Sequence, residues 1–206
     1  MFITLEGPEG SGKTSQLPAL ADYLREAGYD VLVTREPGGT AVGDQIRDVL
    51  MNLNNVSIIP RTEILLFLAA RAQHVEERIR PALAEGKIVL CDRYGDSTLA
   101  YQGFGHKTDL EILQTLLDFS TGGLKPDLTL LVDVPIEKGM ARKRENSSEW
   151  NRLDAYELAF HERVRQGYLA LADAEPERWV IIDASEEKDK VQDAMRKAIV
   201  DRLNQD

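Results

Sequence analysis

The chain has 206 residues, 43% of them hydrophobic and 29% charged, and its formal net charge is −10. This length and mixture predict one globular domain with a full core, and the acidic balance argues against binding to nucleic acid polymers, which would need a basic surface. No apolar run approaches the roughly 18 residues of a membrane span, a strand-like start at Phe2 predicts no secretory leader, and the lone Cys91 excludes an internal disulfide, so we expect a cytoplasmic protein with no membrane partner.

The first predicted strand, Phe2–Leu5, leads directly into a glycine-rich loop. Residues 7 to 14 match the phosphate-binding pattern G-x-x-x-x-G-K-S/T at every fixed position. In such a loop the backbone N–H groups and the dipole of the following helix bind phosphate oxygens. The lysine reaches the β- and γ-phosphates, and the Ser/Thr hydroxyl binds Mg²⁺. We therefore predict a nucleoside triphosphate site built from Gly7, Pro8, Glu9, Gly10, Ser11, Gly12, Lys13 and Thr14.

The rest of the chain alternates short apolar segments with helical patterns. The predicted strands are Phe2–Leu5, Val31–Thr34, Ile88–Cys91, Leu128–Asp133 and Trp179–Asp183. The predicted helices are about Lys13–Ala27, Thr40–Met51, Arg61–Glu85, Leu110–Phe119, Ile136–Arg144, Arg152–Ala174 and Glu187–Leu203. The strands are nearly continuous in apolar character, as in sheets covered on both faces. This pattern predicts an α/β fold: a doubly wound, parallel, five-stranded sheet flanked by helices, the P-loop NTPase fold, in a single domain over residues 1–206.

Ligands of such sheets bind beyond the carboxyl ends of the strands, and two of these ends carry an arginine beside a carboxylate. Arg35 and Glu36 follow the second strand, Asp92 and Arg93 follow the third, and Arg47 lies on the next helix after the second. A single pair of this kind is typical of a surface ion pair. Two pairs beside a phosphate loop favour phosphate binding, because arginine binds phosphate in a bidentate manner.

The long predicted helix Arg61–Glu85 carries Phe67 and Arg71, which share one face at a spacing of four residues. A ring beside a planar group of N–H donors suits a planar base. The alternative is a core phenylalanine and a solvated arginine.

The segment at about 142–152 follows the helix after the fourth strand and is polar and cationic at its start. This composition predicts a mobile flap that closes over phosphates, with a solvated loop as the alternative.

His74, His106 and His161 lack metal-ligand spacing and are interpreted as ordinary helix or loop residues. Cys91, inside a strand, is expected to be buried and inert.

Together these segments resemble bacterial thymidylate kinases. The matching segments are Glu6–Thr14, Thr34–Thr40, Leu66–Arg71, Asp92–Tyr94 and Ala100–Gly103. Arg-Glu-Pro-Gly-Gly and Asp-Arg-Tyr at these places are specific to that family. The resemblance implies the reaction ATP + dTMP → ADP + dTDP with Mg²⁺, in dTTP synthesis, by a homodimer joined through helix packing. Residues 7 to 14 would then be the ATP site, with Thr14 and Asp92 at the metal.

The resemblance also implies roles in the substrate site. Glu9 would hold the sugar 3′-hydroxyl, Phe67 would stack on thymine, and Arg71 would donate to a base carbonyl. Tyr101 would crowd the sugar 2′ position. The remaining substrate-binding residues would be Arg35, Arg47 and Arg93 at the phosphate, Glu36 and Asp92 beside it, Thr98 and Gln102 at the base edge, and Ser97.

By the same resemblance the catalytic residues would be Lys13, Asp92, Arg93 and Arg142. The phosphate loop holds Glu9 where some relatives have an arginine, so an arginine from the flap would face the γ-phosphate, with Arg142 as the candidate. Asp92 would position substrate and metal, because a phosphate nucleophile is already ionised. Two segments depart from the family pattern: residues 151–154 read Asn-Arg-Leu-Asp instead of Asp-Arg-x-Glu, and 105–107 read Gly-His-Lys where Gly-Arg-Gly is usual.

Other functions stay open at this point. A related P-loop kinase would phosphorylate a deoxynucleoside or another monophosphate, although the triple Arg35, Arg47 and Arg93 favours a phosphorylated acceptor. A GTP-dependent switch is suggested by D-x-x-G at 92–95, but the chain has no Asn-Lys pair with which to recognise guanine. A non-catalytic nucleotide-binding module would not need a stacking ring and three acceptor arginines.

Overall fold

The structure, a computed structural model, describes residues 1–145 and 150–205. Its strands are β1 (Phe2–Glu6), β2 (Val31–Arg35), β3 (Ile88–Asp92), β4 (Leu128–Asp133) and β5 (Trp179–Asp183). They lie in the order β2-β3-β1-β4-β5, and every neighbouring pair is parallel. The predicted doubly wound sheet is therefore confirmed. Because β2 and β3 lie on one side of β1 and β4 and β5 on the other, the loop after β1 lies at the switch point where such sheets bind ligands.

Helices connect the strands on both faces of the sheet. They are α1 (Lys13–Glu26), α2 (Ala41–Met51), α3 (Pro60–His74), α4 (Arg80–Ala84), α5 (Gly95–Thr98), α6 (Leu110–Thr121), α7 (Ile136–Glu145), α8 (Leu158–Ala174) and α9 (Lys188–Leu203). The Thr40 side chain caps α2 by accepting from the Gly43 N–H, and Gly122 ends α6 in the left-handed conformation that glycine adopts most readily.

Three segments differ from the predicted helices. The predicted helix Arg61–Glu85 is divided by a π-helical turn at Val75–Ile79. A second π-helical turn, Leu99–Gly105, continues α5 where the sequence pattern predicts no helix. The predicted start of a helix at Arg152 is wrong: Arg152–Ala155 forms a 3₁₀ turn, and α8 begins only at Leu158. Reciprocal hydrogen bonds between Asn151 and Asp154 cap the start of that turn, and the extended backbone of Tyr156 and Glu157 separates it from α8.

Alternation along β1 decides which side chains enter the core and which reach the site. Ile3 and Leu5 face α1 and α9 in the main hydrophobic cluster, whereas Phe2 packs against the opposite face. Glu6 lies four residues after Phe2, at the carboxyl end of the strand. Because side chains alternate between the two faces, Glu6 points to the same face as Phe2. Cys91 is buried as predicted. Within the described ranges, no helix combines the length and the apolar character that crossing a membrane requires.

Candidate active site

The phosphate loop connects β1 to α1 and lies against the helix that precedes the predicted flap. Gly10 and Gly12 have φ angles of 68° and 93°, in the left-handed region that disfavours side chains. A Cβ atom at Gly10 would also collide with the backbone carbonyl of Gly139 on α7. Glycine is therefore required at Gly10 both for the turn and for the close approach of α7.

Lys13 begins α1, and its side chain folds back into the loop. Its Nζ donates to the carbonyl oxygens of Gly7 (2.9 Å) and Pro8 (2.8 Å) and to Ser11 Oγ (2.9 Å). Burial, followed by the positive charge of Arg93, lowers the pKa of Lys13 to about 7. The ammonium thus sits in a site where an additional anion would be favourable.

Thr14 and Asp92 meet where β1 and β3 end side by side. Asp92 pairs with Leu5 in the sheet register, and its carboxylate accepts a hydrogen bond of 2.6 Å from the Thr14 hydroxyl. The two residues predicted to bind the metal are therefore within direct contact of each other.

Arg93 follows β3 with a φ angle of 67°, an uncommon conformation for a residue with a side chain. This conformation directs the guanidinium toward the phosphate loop, where it donates to Gly7 O (3.0 Å) and Glu9 Oε1 (2.7 Å). It also donates to the hydroxyls of Tyr101 and Tyr168, each at 3.0 Å. Strained backbone of this kind clusters at functional sites, where the surrounding contacts maintain it.

Glu9 lies inside the phosphate loop and is surrounded by cations. Its carboxylate accepts hydrogen bonds of 2.7 Å from Arg93 and from the Tyr101 hydroxyl, and Lys143 Nζ lies 3.9 Å away. Burial alone would raise the pKa of Glu9, but the charges of Arg93, Lys13 and Lys143 outweigh it and lower the pKa to about 2. Glu9 is thus ionised and can accept a hydrogen bond from a ligand hydroxyl.

Arg71 occupies a fully buried position on α3. Its guanidinium donates to Glu36 Oε2 (2.7 Å), Thr98 Oγ1 (2.8 Å) and the Tyr94 carbonyl (2.8 Å). His74 lies 2.9 Å from the other Glu36 oxygen, so this carboxylate is held from both sides. His74, interpreted as an ordinary helix residue, lies at the end of α3, and its buried ring contacts Glu36, a predicted site residue.

Arg35 and Arg47 approach the same region from β2 and α2. Arg47 donates to the Pro37 carbonyl at 3.0 Å, and the half-exposed Arg35 lies 3.4 Å from Asp44. Burial, followed by the nearby charge of Arg35, lowers the pKa of Arg47. Such close cations are typical of a site that receives an anion.

One cavity of about 570 Å³ brings the predicted residues together. It is lined by Gly10, Ser11, Gly12, Lys13 and Thr14 of the phosphate loop, by Asp92 and Arg142, and by the full predicted substrate-binding set of Glu9, Arg35, Glu36, Arg47, Phe67, Arg71, Arg93, Ser97, Thr98, Tyr101 and Gln102. Gly7 and Pro8 are not among the lining residues; their carbonyl oxygens bind Lys13 instead.

Comparison with known proteins agrees with this arrangement. A family model described as thymidylate kinase matches residues 5–195. The chain belongs to the thymidylate kinase family. The thymidylate kinase of Thermomicrobium roseum is 57% identical over 194 residues, which cover 94% of this chain and 91% of the relative. That of Geobacter sulfurreducens is 49% identical over 207 residues, covering 98% and 97%. The resemblance based on the motifs is confirmed, and a GTP-dependent switch finds no support.

The predicted flap of this family member is described only in part, because residues 146–149 lie outside the described residues. Arg142, near the end of α7, donates to the Ala184 carbonyl at 3.0 Å. Its neighbour Lys143 lies 3.9 Å from Glu9 and 3.6 Å from Asp154. The flap thus presents two different cations to the cavity, one near the end of β5 and one near the phosphate loop.

Sequence reasoning missed the support beneath Arg93. The buried Glu6 carboxylate accepts from the Tyr94 N–H (2.7 Å), Ser97 Oγ (2.6 Å) and the Tyr168 hydroxyl (3.0 Å). Because Ser97 and Tyr168 also accept from Arg93, Glu6 positions both acceptors. A charged residue that ends an otherwise apolar strand is the one signal that could have found Glu6.

Proposed function

We propose that this member of the thymidylate kinase family transfers the γ-phosphoryl group of ATP to dTMP, giving ADP and dTDP. The observation that carries the proposal is a single cavity lined by the phosphate loop together with Phe67, Arg35, Arg47 and Arg93. The ring can stack on the base of any nucleoside, but cations for an acceptor phosphate are required only when the acceptor is a monophosphate.

The proposed reaction depends on alignment and charge neutralisation. Phosphoryl transfer has a loose transition state with charge on the equatorial oxygens, and two anionic nucleotides repel each other. Lys13 would move from its loop carbonyls to the β- and γ-phosphates. Arg93, with Arg35 and Arg47, would hold the dTMP phosphate in line with the γ-phosphate. Glu9 would accept from the sugar 3′-hydroxyl, and no strong general base is needed.

The residues present fit Mg²⁺. Thr14 Oγ1 and Asp92 Oδ2, 2.6 Å apart at the end of the phosphate loop, are the hard oxygen donors that this ion prefers. Among the residues that the structure describes, no three His, Cys, Asp or Glu side chains form a metal cluster. A Mg²⁺ ion held by Thr14 and Asp92 would accordingly take its other ligands from phosphates and water, and when bound it would neutralise charge on the phosphates.

The proposal includes a cytoplasmic homodimer. Helices α2, α3 and α6 and the loop between α2 and α3 expose apolar side chains, namely Val42, Val49, Leu53, Val56, Ile59, Leu65, Ile112 and Phe119. A second copy would cover this surface. Light scattering on the purified chain should give twice the monomer mass of 23.1 kDa, and a monomer at micromolar concentration would contradict this part of the proposal.

The reaction is tested by a coupled ADP-release assay with Mg-ATP and a panel of acceptors. We expect turnover of dTMP well ahead of AMP, CMP, UMP and thymidine. The Lys13→Ala variant, purified in parallel, measures contaminating kinases. Equal or faster turnover of thymidine would overturn the assignment of a phosphorylated acceptor.

A further inference from the structure

Glu63, on α3, has no role in the reaction as described so far, yet its carboxylate is fully buried beside the substrate cavity. Oε1 accepts hydrogen bonds from Gln102 Nε2 at 2.8 Å and His106 Nε2 at 3.2 Å. Oε2 accepts from Arg152 Nη2 at 2.5 Å and the Tyr156 hydroxyl at 3.2 Å. One carboxylate thus joins α3 to the π-helical turn after α5 and to the 3₁₀ turn that follows the flap.

The charge state of Glu63 decides how these partners are oriented. Burial would raise the pKa of Glu63, but hydrogen bonds from His106, Arg152 and Gln102 and the charge of Arg152 outweigh it and lower the pKa to about 2. An ionised carboxylate only accepts hydrogen bonds. Every group that faces it must therefore donate, including the side-chain amide of Gln102.

This requirement removes the ambiguity that amide side chains usually have. The Gln102 NH₂ group is directed at Glu63, so its carbonyl oxygen points away from Glu63. Gln102 lines the substrate cavity, and no described residue donates to that carbonyl oxygen. Gln102 accordingly presents an acceptor to a base in the cavity, and its donor is already used.

We propose that Glu63 is a specificity-determining positioning residue, which fixes the amide of Gln102 so that the cavity accepts a pyrimidine with an N–H at position 3 and rejects cytosine. Thymine carries that N–H donor, whereas N3 of cytosine is itself an acceptor and would face the Gln102 oxygen with no proton between them. This inference rests on the proposed function and names the group that makes the base selective.

A site built to pair with one substrate group discriminates strongly against an analogue that leaves its buried polar atom unpaired. Without Glu63 the amide of Gln102 can rotate and present its NH₂ group to cytosine N3. The loss of selectivity should therefore come from improved binding of dCMP as well as weaker binding of dTMP.

The test is kcat/KM for dTMP and for dCMP in the wild type and in Glu63→Gln. We expect the dTMP/dCMP ratio to fall about tenfold or more, with KM for dTMP raised and kcat at saturating dTMP changed less than about threefold. Tyr156→Phe is the matched control: it removes one hydrogen bond from the same carboxylate but leaves the Gln102 contact, and its ratio should equal that of the wild type.

A double-mutant cycle separates positioning from general damage. In a Gln102→Met background, which already lacks the amide, Glu63→Gln should change the dTMP/dCMP ratio no further. Gln102→Met alone should lose selectivity, and it tests the proposal even if Glu63→Gln does not fold, because Glu63 keeps its other partners there.

An unchanged ratio in either Glu63→Gln or Gln102→Met would overturn the inference while leaving the kinase assignment intact. A further drop of the ratio in the double variant would show that Glu63 acts by another route and would also overturn it. If the wild type failed to phosphorylate dTMP at all, the proposed function would fall, and this inference with it.

Discussion

At the phosphate loop, cations lie close to one another, whereas on the base side of the cavity each buried arginine has a carboxylate partner. Lys13 has its pKa lowered by burial and by Arg93, and Arg47 has its pKa lowered by burial and by Arg35. On the base side, Arg71 contacts Glu36 at 2.7 Å and Arg152 contacts Glu63 at 2.5 Å.

The difference indicates two separate tasks. On the phosphate side Arg93 contacts Glu9, but Lys13 and Arg47 donate to neutral carbonyl and hydroxyl oxygens, so this side gains favourable interactions when anionic nucleotides bind. On the base side the charges of Arg71 and Arg152 are already balanced by Glu36 and Glu63. The polar atoms there are therefore held in one arrangement before a ligand binds. A base side fixed in one hydrogen-bonding arrangement discriminates between bases, because a wrong base leaves buried polar atoms unpaired. The cations of the phosphate side instead stabilise the charge on the transferred group.

The largest effect should come from Lys13→Ala, which removes charge from the centre of the phosphate side. We expect kcat to fall by about 10²–10³ or more, on the order of 3–4 kcal/mol of transition-state stabilisation. Steady-state kcat at saturating ATP and dTMP checks this. Lys87→Ala, at a partly exposed lysine whose ammonium contacts Glu85, is the control and should match the wild type. If kcat of Lys13→Ala stayed within tenfold of the wild type, positive charge at the phosphate loop would not be what gives the rate.

The next effect concerns the flap and Arg142. The prediction that Arg142 supplies the arginine at the γ-phosphate requires its guanidinium to leave the Ala184 carbonyl when nucleotides bind. We expect Arg142→Ala to lower kcat about 10²-fold with little change in KM for dTMP, and Arg142→Lys to recover little, because an ammonium cannot bridge two oxygens.

Lys143→Ala is the informative comparison for Arg142, since Lys143 already lies 3.9 Å from Glu9 on the phosphate side. Arg144→Ala, on an exposed side of the same helix, is the control for damage to α7. Normal turnover of Arg142→Ala beside a collapse of Lys143→Ala would assign the catalytic cation of the flap to Lys143.

The same contrast explains what could be predicted from the sequence. The phosphate side is built from a contiguous loop and from residues that directly follow strands, so its spacing is visible in the chain. The base side is built from pairs such as Glu63 and Arg152, which lie 89 positions apart. Nothing in the local pattern around either residue indicates the other, and the division of the long helix by a π-helical turn is equally invisible to periodicity.

The smallest effect concerns Glu6, which positions the Ser97 and Tyr168 hydroxyls that accept from Arg93. Unlike Glu9 on the same side of the cavity, Glu6 is destabilised as an anion. Burial, followed by the charge of Asp96, raises the pKa of Glu6 to about 7, and contacts with Ser97, Arg93 and Tyr94 only partly oppose this. Its pKa in the unfolded chain is about 4.3.

The sign of the pH dependence follows directly. Between about pH 4.5 and 7 the folded protein keeps the Glu6 proton while the unfolded chain releases it, so the free energy of unfolding decreases as pH rises through this window. Above pH 7 the loss is complete. The Glu6→Gln variant cannot titrate, and the part of the slope that belongs to Glu6 should disappear.

Urea unfolding of wild type and Glu6→Gln at pH 5 and pH 8 measures this slope. From pH 5 to 8 the wild type should lose on the order of 2 kcal/mol more than the variant. Asp154, whose pKa of about 6 also falls in this range, is present in both proteins and cancels to first order. The Glu6 charge itself raises the pKa of Lys13, so the difference between the two proteins includes this coupling. If Glu6→Gln keeps the full wild-type slope, Glu6 is ionised in the folded protein. The phosphate side would then carry one more negative charge and would attract anionic nucleotides less strongly.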